Sequence, residues 1–121
     1  MKITKLPDAE FEIMNSLWKG DKPMTTRGIE KLLDKKWKIQ TILTLLKRLE
    51  DKGFVHSTKE GKERIFVPLI KEDDYLLFET KYFMKKYHNN SFVSLFSTFC
   101  KEDKVEEKAK DELTEWLNSE E

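Results

Sequence analysis

The stretch from Trp37 to Phe54, WKIQTILTLLKRLEDKGF, constrains the fold more than any other. Ile39, Ile42, Leu45, Leu46 and Leu49 recur at helical spacing and form one apolar stripe, so a helix over residues 39–52 is expected to lie on a core. The rest of its surface carries Gln40, Thr41, Thr44, Lys47 and Arg48, small hydrogen-bonding groups followed by cations. Gly53 falls where the residue after a helix adopts φ > 0. Hydroxyls and amides of this kind reach base edges in a major groove, and cations reach phosphates. Alone, the pattern is that of an ordinary amphipathic surface helix. Its neighbours decide.

Upstream, residues 1–6 read as a loose start. Pro7, Asp8 and Glu10 suit a helix entrance, with acids at the positive end of the dipole. Phe11, Met14, Leu17 and Trp18 form a stripe over residues 8–19, and Gly20 stops it. Residues 21–24 read as a turn. Thr25 or Thr26 caps a second helix reaching about Leu33, with Ile29, Leu32 and Leu33 inward. Downstream, two β-forming runs, 54–59 and 64–68, flank the turn signal Glu60-Gly61-Lys62. Three short helices followed by a hairpin make a winged helix-turn-helix. The hairpin tip carries Lys59, Lys62 and Arg64, placed to touch a sugar-phosphate backbone.

After Leu69 the pattern changes. A fourth helix, from Lys71 to about Tyr87, opens with Glu72, Asp73 and Asp74 and ends at His88-Asn89-Asn90. A fifth spans about Ser91 to Phe99. A sixth covers 104–118, with Asp103 and Glu106 as a capping box. About fifty residues of this kind bury too little of themselves to be stable alone, and a second copy is the economical cover. The expected dimer contacts are Leu76, Thr80, Phe83 and Tyr87 on the fourth helix, Phe92, Leu95 and Phe96 on the fifth, and Leu113, Trp116 and Leu117 on the sixth.

Charge divides the same way. The chain has no net charge, yet residues 1–70 hold 15 basic against 10 acidic side chains, and residues 71–121 hold 8 against 13. A basic half meets a polyanion while an acidic half stays clear of it. The expected fold is therefore mainly α with a small β-hairpin wing. Residues 1–70 form a winged-helix DNA-binding domain and residues 71–121 a helical dimerisation domain. Two such reading heads would engage the half-sites of a palindrome.

Catalysis finds no support. There is no Gly-rich phosphate loop, HExxH or nucleophile elbow. His56 and His88 lack a spaced set of further ligands, so neither metal nor cofactor is expected. The single Cys100 excludes an intramolecular disulfide. With no membrane-length apolar run and no signal peptide, a cytoplasmic location is expected.

The order LPDAEFEIMNSLW, TIxTLLxRLxxKGF, a wing, FVSLFSTFxKED and ELTEWLN resembles the penicillinase-repressor family of BlaI/MecI/CopY type over nearly the whole chain. The resemblance implies a homodimeric repressor of β-lactam resistance genes. It also implies a membrane sensor protease that leads to cleavage of the repressor within the dimerisation domain. The copper branch of the family uses a C-terminal cysteine cluster that is missing here. By position, Thr41 and Thr44 match base-reading threonines. Gln40 falls where lysine is usual, Leu43 where arginine is common, and Lys38 where a serine caps the helix. The family's Asn-Phe scissile bond corresponds to Thr98-Phe99.

The expected site is thus Gln40, Thr41 and Thr44 on bases, with Lys38, Lys47, Arg48, Lys62 and Arg64 on phosphates. Double-stranded operator DNA is the partner. Two other readings stand beside it: a winged-helix protein-interaction module, and a ligand-responsive regulator with a small-molecule pocket.

Overall fold

A computed structural model describes residues 2–101 and 103–119, with the side chains of residues 103–106 outside the description. Six helices and a three-stranded antiparallel sheet are seen among these residues. The chain forms two compact units that divide between Phe78 and Glu79.

In the first unit, α1 (Asp8–Gly20) leads through a two-residue strand, β1 (Met24–Thr25), into α2 (Thr26–Leu32) and then α3 (Ile39–Asp51). The hairpin β2 (Val55–Glu60) and β3 (Glu63–Pro68) follows. The sheet order is β1-β3-β2, with Met24 opposite Phe66 and Thr25 opposite Ile65. The reading of residues 21–24 as a plain turn misses β1. Thr25 serves twice, ending the strand and capping α2 by accepting from Gly28 N–H at 3.1 Å. Such a cap contributes about 1 kcal/mol.

Four of the five stripe residues of α3 are buried as expected, Ile42, Leu45, Leu46 and Leu49, all in the core with Ile13, Met14, Leu17 and Ile29; Ile39, in the first turn, is only half-buried. Gly53 takes φ +81° and turns the chain out of the helix. At the end of α1 the roles differ from expectation. Gly20 is still helical, and Asp21 adopts the left-handed conformation at φ 55°. A Cβ at Gly20 would crowd Met24 Sδ, the far end of a flexible side chain that can move aside.

Four inward or outward assignments change. Phe11, expected in the inward stripe of α1, is exposed, with one side of its ring against Trp18 and Tyr75. The chain start is not loose: Leu6 is buried, and its N–H donates to Tyr75 Oη at 2.8 Å. Leu32, expected inside, is exposed, since the seven-residue α2 fully buries only Ile29. Glu10 is buried and paired with Lys52 Nζ, which ties the first turn of α1 to the end of α3.

Helix α4 (Glu72–His88) starts in the first unit and ends in the second. Its first turns give the core Tyr75, which is 1% exposed. Phe11, Trp18, Phe54 and Phe78 surround that ring with centroids 5.8–6.1 Å away. Trp18 Nε1 donates to Ile70 O at 2.9 Å, fixing the approach to α4.

In the second unit, Asn89 and Asn90 take left-handed conformations and end α4, as the sequence predicts. Asn90 N–H donates to Met84 O at 2.9 Å. Ser91 caps α5 (Phe92–Phe99) by accepting from Ser94 N–H. His88, also buried, meets Ser94 Oγ through Nδ1 at 3.0 Å. Helix α6 runs Asp103–Ser119, so the expected Asp103–Glu106 capping box falls on side chains outside the described residues.

Candidate nucleic-acid interface

Burying one stripe of α3 leaves Gln40, Thr41, Leu43, Thr44, Lys47 and Arg48 exposed. Gln40, Thr44 and Lys47 lie on one outer surface because residues three and four apart are neighbours on a helix. Thr44 Oγ1 donates to Gln40 O at 3.0 Å. Its hydroxyl hydrogen is therefore committed to the backbone, and it presents an acceptor oxygen and a methyl group instead.

Lys38 occupies the N-cap position of α3 without capping it through a side chain. The first-turn N–H groups of α3 thus keep their capacity to meet an anion. Lys47 lies 3.7 Å from Asp51, one turn on, with both side chains well exposed. Such a surface pair holds weakly, by about 0.3–0.5 kcal/mol, and leaves Lys47 available to a stronger anion.

The wing comes to the front of α3. A concavity of about 260 Å³ is lined by Thr25, Thr26, Arg27, Ile39, Leu43, Lys62, Glu63 and Arg64. It brings two of the expected phosphate ligands, Lys62 and Arg64, together with the first turn of α2 and the shoulder of α3. Lys47 and Arg48 lie further along α3, away from this concavity. Arg27 escaped the sequence reading. A basic residue two positions after the capping Thr25, in the first turn of α2, was the available signal.

The other expected residues lie elsewhere. On α4, Leu76 and Tyr87 are about three-fifths exposed, and Phe83 and Thr80 are also exposed. On α5, Phe92 is 71% exposed, while Leu95 and Phe96 are half-buried. On α6, Trp116 and Leu117 are exposed and Leu113 is half-buried. A concavity of about 610 Å³ between α5 and α6 is lined chiefly by Phe96, Phe99, Leu113 and Trp116. Lys86 Nζ sits 5.1 Å from the Tyr87 ring and 5.6 Å from that of Tyr82. A hydrogen bond with Tyr87, helped by Tyr82, raises the lysine above its ordinary pKa. Thr98 and Phe99 form the exposed last turn of α5, where Thr98 Oγ1 donates to Ser94 O at 3.0 Å.

The architecture and the exposed polar and basic face of α3 define a winged-helix protein of the DNA-binding type, followed by a helical segment. The chain belongs to the penicillinase repressor family, whose model matches residues 6–119. A penicillinase repressor from Bacillus licheniformis is 32% identical over 117 residues, 96% of this chain and 91% of the relative. The methicillin resistance regulatory protein MecI of Staphylococcus aureus (strain N315) is 30% identical over 118 residues, 97% of this chain and 96% of its own. Among solved structures, a monomeric form of Bacillus licheniformis BlaI in complex with the blaP half-operator is 39% identical, with a TM-score of 0.51. The match spans 61% of this chain and 92% of that one. The family is one of transcriptional repressors, not enzymes. No helix among the described residues is long and apolar enough to cross a membrane.

Proposed function

We propose that this protein is a homodimeric repressor that binds a palindromic operator upstream of β-lactam resistance genes in the bacterial cytoplasm. One observation carries the reading: the shoulder of α3, at Ile39 and Leu43 beside its exposed polar face, and the wing residues Lys62 and Arg64 border a single concavity, in a chain of the penicillinase repressor family. Residues 1–70 bind DNA, and residues 71–121 dimerise. Gln40, Thr41 and Thr44 face base edges in the major groove. Lys38, Lys47, Arg48, Lys62 and Arg64 hold phosphates, and Arg27 joins them from α2.

The exposed apolar side chains of α4, α5 and α6 support pairing with a second copy. Tethered in this way, two weak half-site binders become one strong one. Derepression follows from cutting that tether. A membrane sensor protease leads to scission of Thr98–Phe99, in the exposed last turn of the eight-residue α5, and the terminal turns of a short helix open at low cost.

A gel shift with the DNA upstream of the protein's own gene, against random DNA of equal length, tests the reading. Selective retardation, with affinity falling steeply as salt rises, is expected. Equal affinity for both duplexes at every salt concentration would remove operator recognition.

A further inference from the structure

Leu43 is the one large apolar side chain exposed on the outer half of α3 among the described residues, at 38%. Scattered apolar residues on a surface are normal. This one differs in its company. Gln40 and Lys47 are its neighbours at three and four residues' distance, and Thr44, next in the chain, presents a methyl. Leu43 also lines the concavity that Arg27, Lys62 and Arg64 border, three cations against the single acid Glu63. It sits in the N-terminal half of the helix, the half that meets base edges in a helix-turn-helix.

The major groove offers one apolar feature, the C5-methyl of thymine, and apolar side chains recognise it by contact. With cations flanking on α2 and the wing, phosphates on the groove wall would be drawn against the shoulder that carries Leu43. Its methyl groups would then lie against base edges where no hydrogen bond is available to it.

We propose that Leu43 is a specificity-determining residue that reads the C5-methyl of a thymine in each operator half-site. This rests on the reading of α3 as the helix that enters DNA. Leu43 makes a T·A pair favourable at its position and is indifferent to hydrogen-bond donors there, so it discriminates by one methyl group.

The test uses the full-length protein and a duplex that the protein itself enriches from a randomised library. Each thymine is replaced in turn by deoxyuridine, which removes only the methyl. At one position per half-site the unaltered protein should lose about fourfold in affinity, the worth of one buried methyl. Leu43→Ala should bind the thymine and uracil duplexes alike at that position. Leu43→Gln supplies a second variant whose fold is checked independently by its thermal transition. If every uracil effect is the same size in the unaltered protein and in both variants, including no effect, the inference is overturned while operator binding stands. If no duplex is enriched at all, the reading of α3 fails and the inference fails with it.

Discussion

Lys59 and Arg64 stand directly opposite one another across the antiparallel wing, with both side chains exposed. Like charges in that relationship repel, by roughly 0.2–1 kcal/mol. Glu60 and Glu63 repeat the conflict one position nearer the tip. A hairpin selected for stability alone would pair opposite charges. A bound phosphate would relieve the Lys59–Arg64 repulsion, so the wing is better suited to the complex than to the free protein. Arg64→Gln should therefore raise the stability of the free protein by up to about 0.5 kcal/mol. It should also weaken DNA binding and flatten its salt dependence by about one unit of log slope for each phosphate left without its cation. Urea unfolding and a salt titration of affinity check both halves. Lower stability with an unchanged salt slope would contradict them.

Thr44 donates its hydroxyl hydrogen to Gln40 O, so on DNA it offers an acceptor and a methyl. Two substitutions separate these. Thr44→Val keeps a branched methyl and removes the oxygen; Thr44→Ala removes both. If the oxygen accepts from a base amino group, each variant should lose about 1 kcal/mol of cognate affinity, roughly fivefold, with little change on random DNA. If the methyl carries the recognition, Thr44→Val should bind like the unaltered protein and only Thr44→Ala should weaken. Equal losses on cognate and random DNA would exclude base readout by this residue.

Tyr75 joins α4 to the winged-helix core by packing and by one buried hydrogen bond to Leu6 N–H. Tyr75→Phe keeps the ring but leaves that buried N–H without its acceptor, at a cost of about 1–3 kcal/mol. Tyr75→Ala also opens a cavity amid four other aromatic rings and should cost about 3–5 kcal/mol. Denaturant unfolding followed by tryptophan fluorescence in a Trp116→Phe background, which leaves Trp18 and Trp37 in the first unit, reports on the same core. A change below about 0.5 kcal/mol in Tyr75→Phe would mean that water replaces the phenol oxygen.

The positions that the sequence disclosed are those governed by local rules. Ile42, Leu45, Leu46 and Leu49 follow the 3.6-residue period, and Gly53 follows from the positive φ after a helix. Asn89 and Asn90 tolerate the left-handed conformation that ends α4. What stayed hidden depends on partners distant in the chain. Two residues of β1 have no pattern of their own and exist through Phe66 and Ile65. Tyr75 sits in a helix with apolar residues on several sides, so no single stripe marks it as the inward one. Leu6 is held by a residue sixty-nine positions away. At the candidate interface, the composition of the α3 face was legible. The commitment of the Thr44 hydroxyl and the approach of Arg27 to the wing were not, because both depend on three-dimensional placement.

In the helical segment, Phe96, Phe99, Leu113 and Trp116 line a shared apolar concavity, and Trp116 is 55% exposed beside it. Exposed aromatic surface of this kind is a cost to a monomer, and in the proposed dimer a second copy would cover it. A cut at Thr98–Phe99 would take away Phe99 and all of α6 at once. It would leave Gln40, Thr41 and Thr44 in place but alone on each fragment. Bivalent attachment exceeds single-site binding by about 10²–10⁴-fold, so the fragment ending at Thr98 should sediment as a monomer and lose at least 100-fold in operator affinity. Trp116→Glu in the full chain should move both measurements the same way without any cut. Sedimentation velocity and gel shifts on one- and two-half-site duplexes provide the readouts. Undiminished operator affinity in the fragment would separate dimerisation from DNA binding and place the release mechanism elsewhere in the chain.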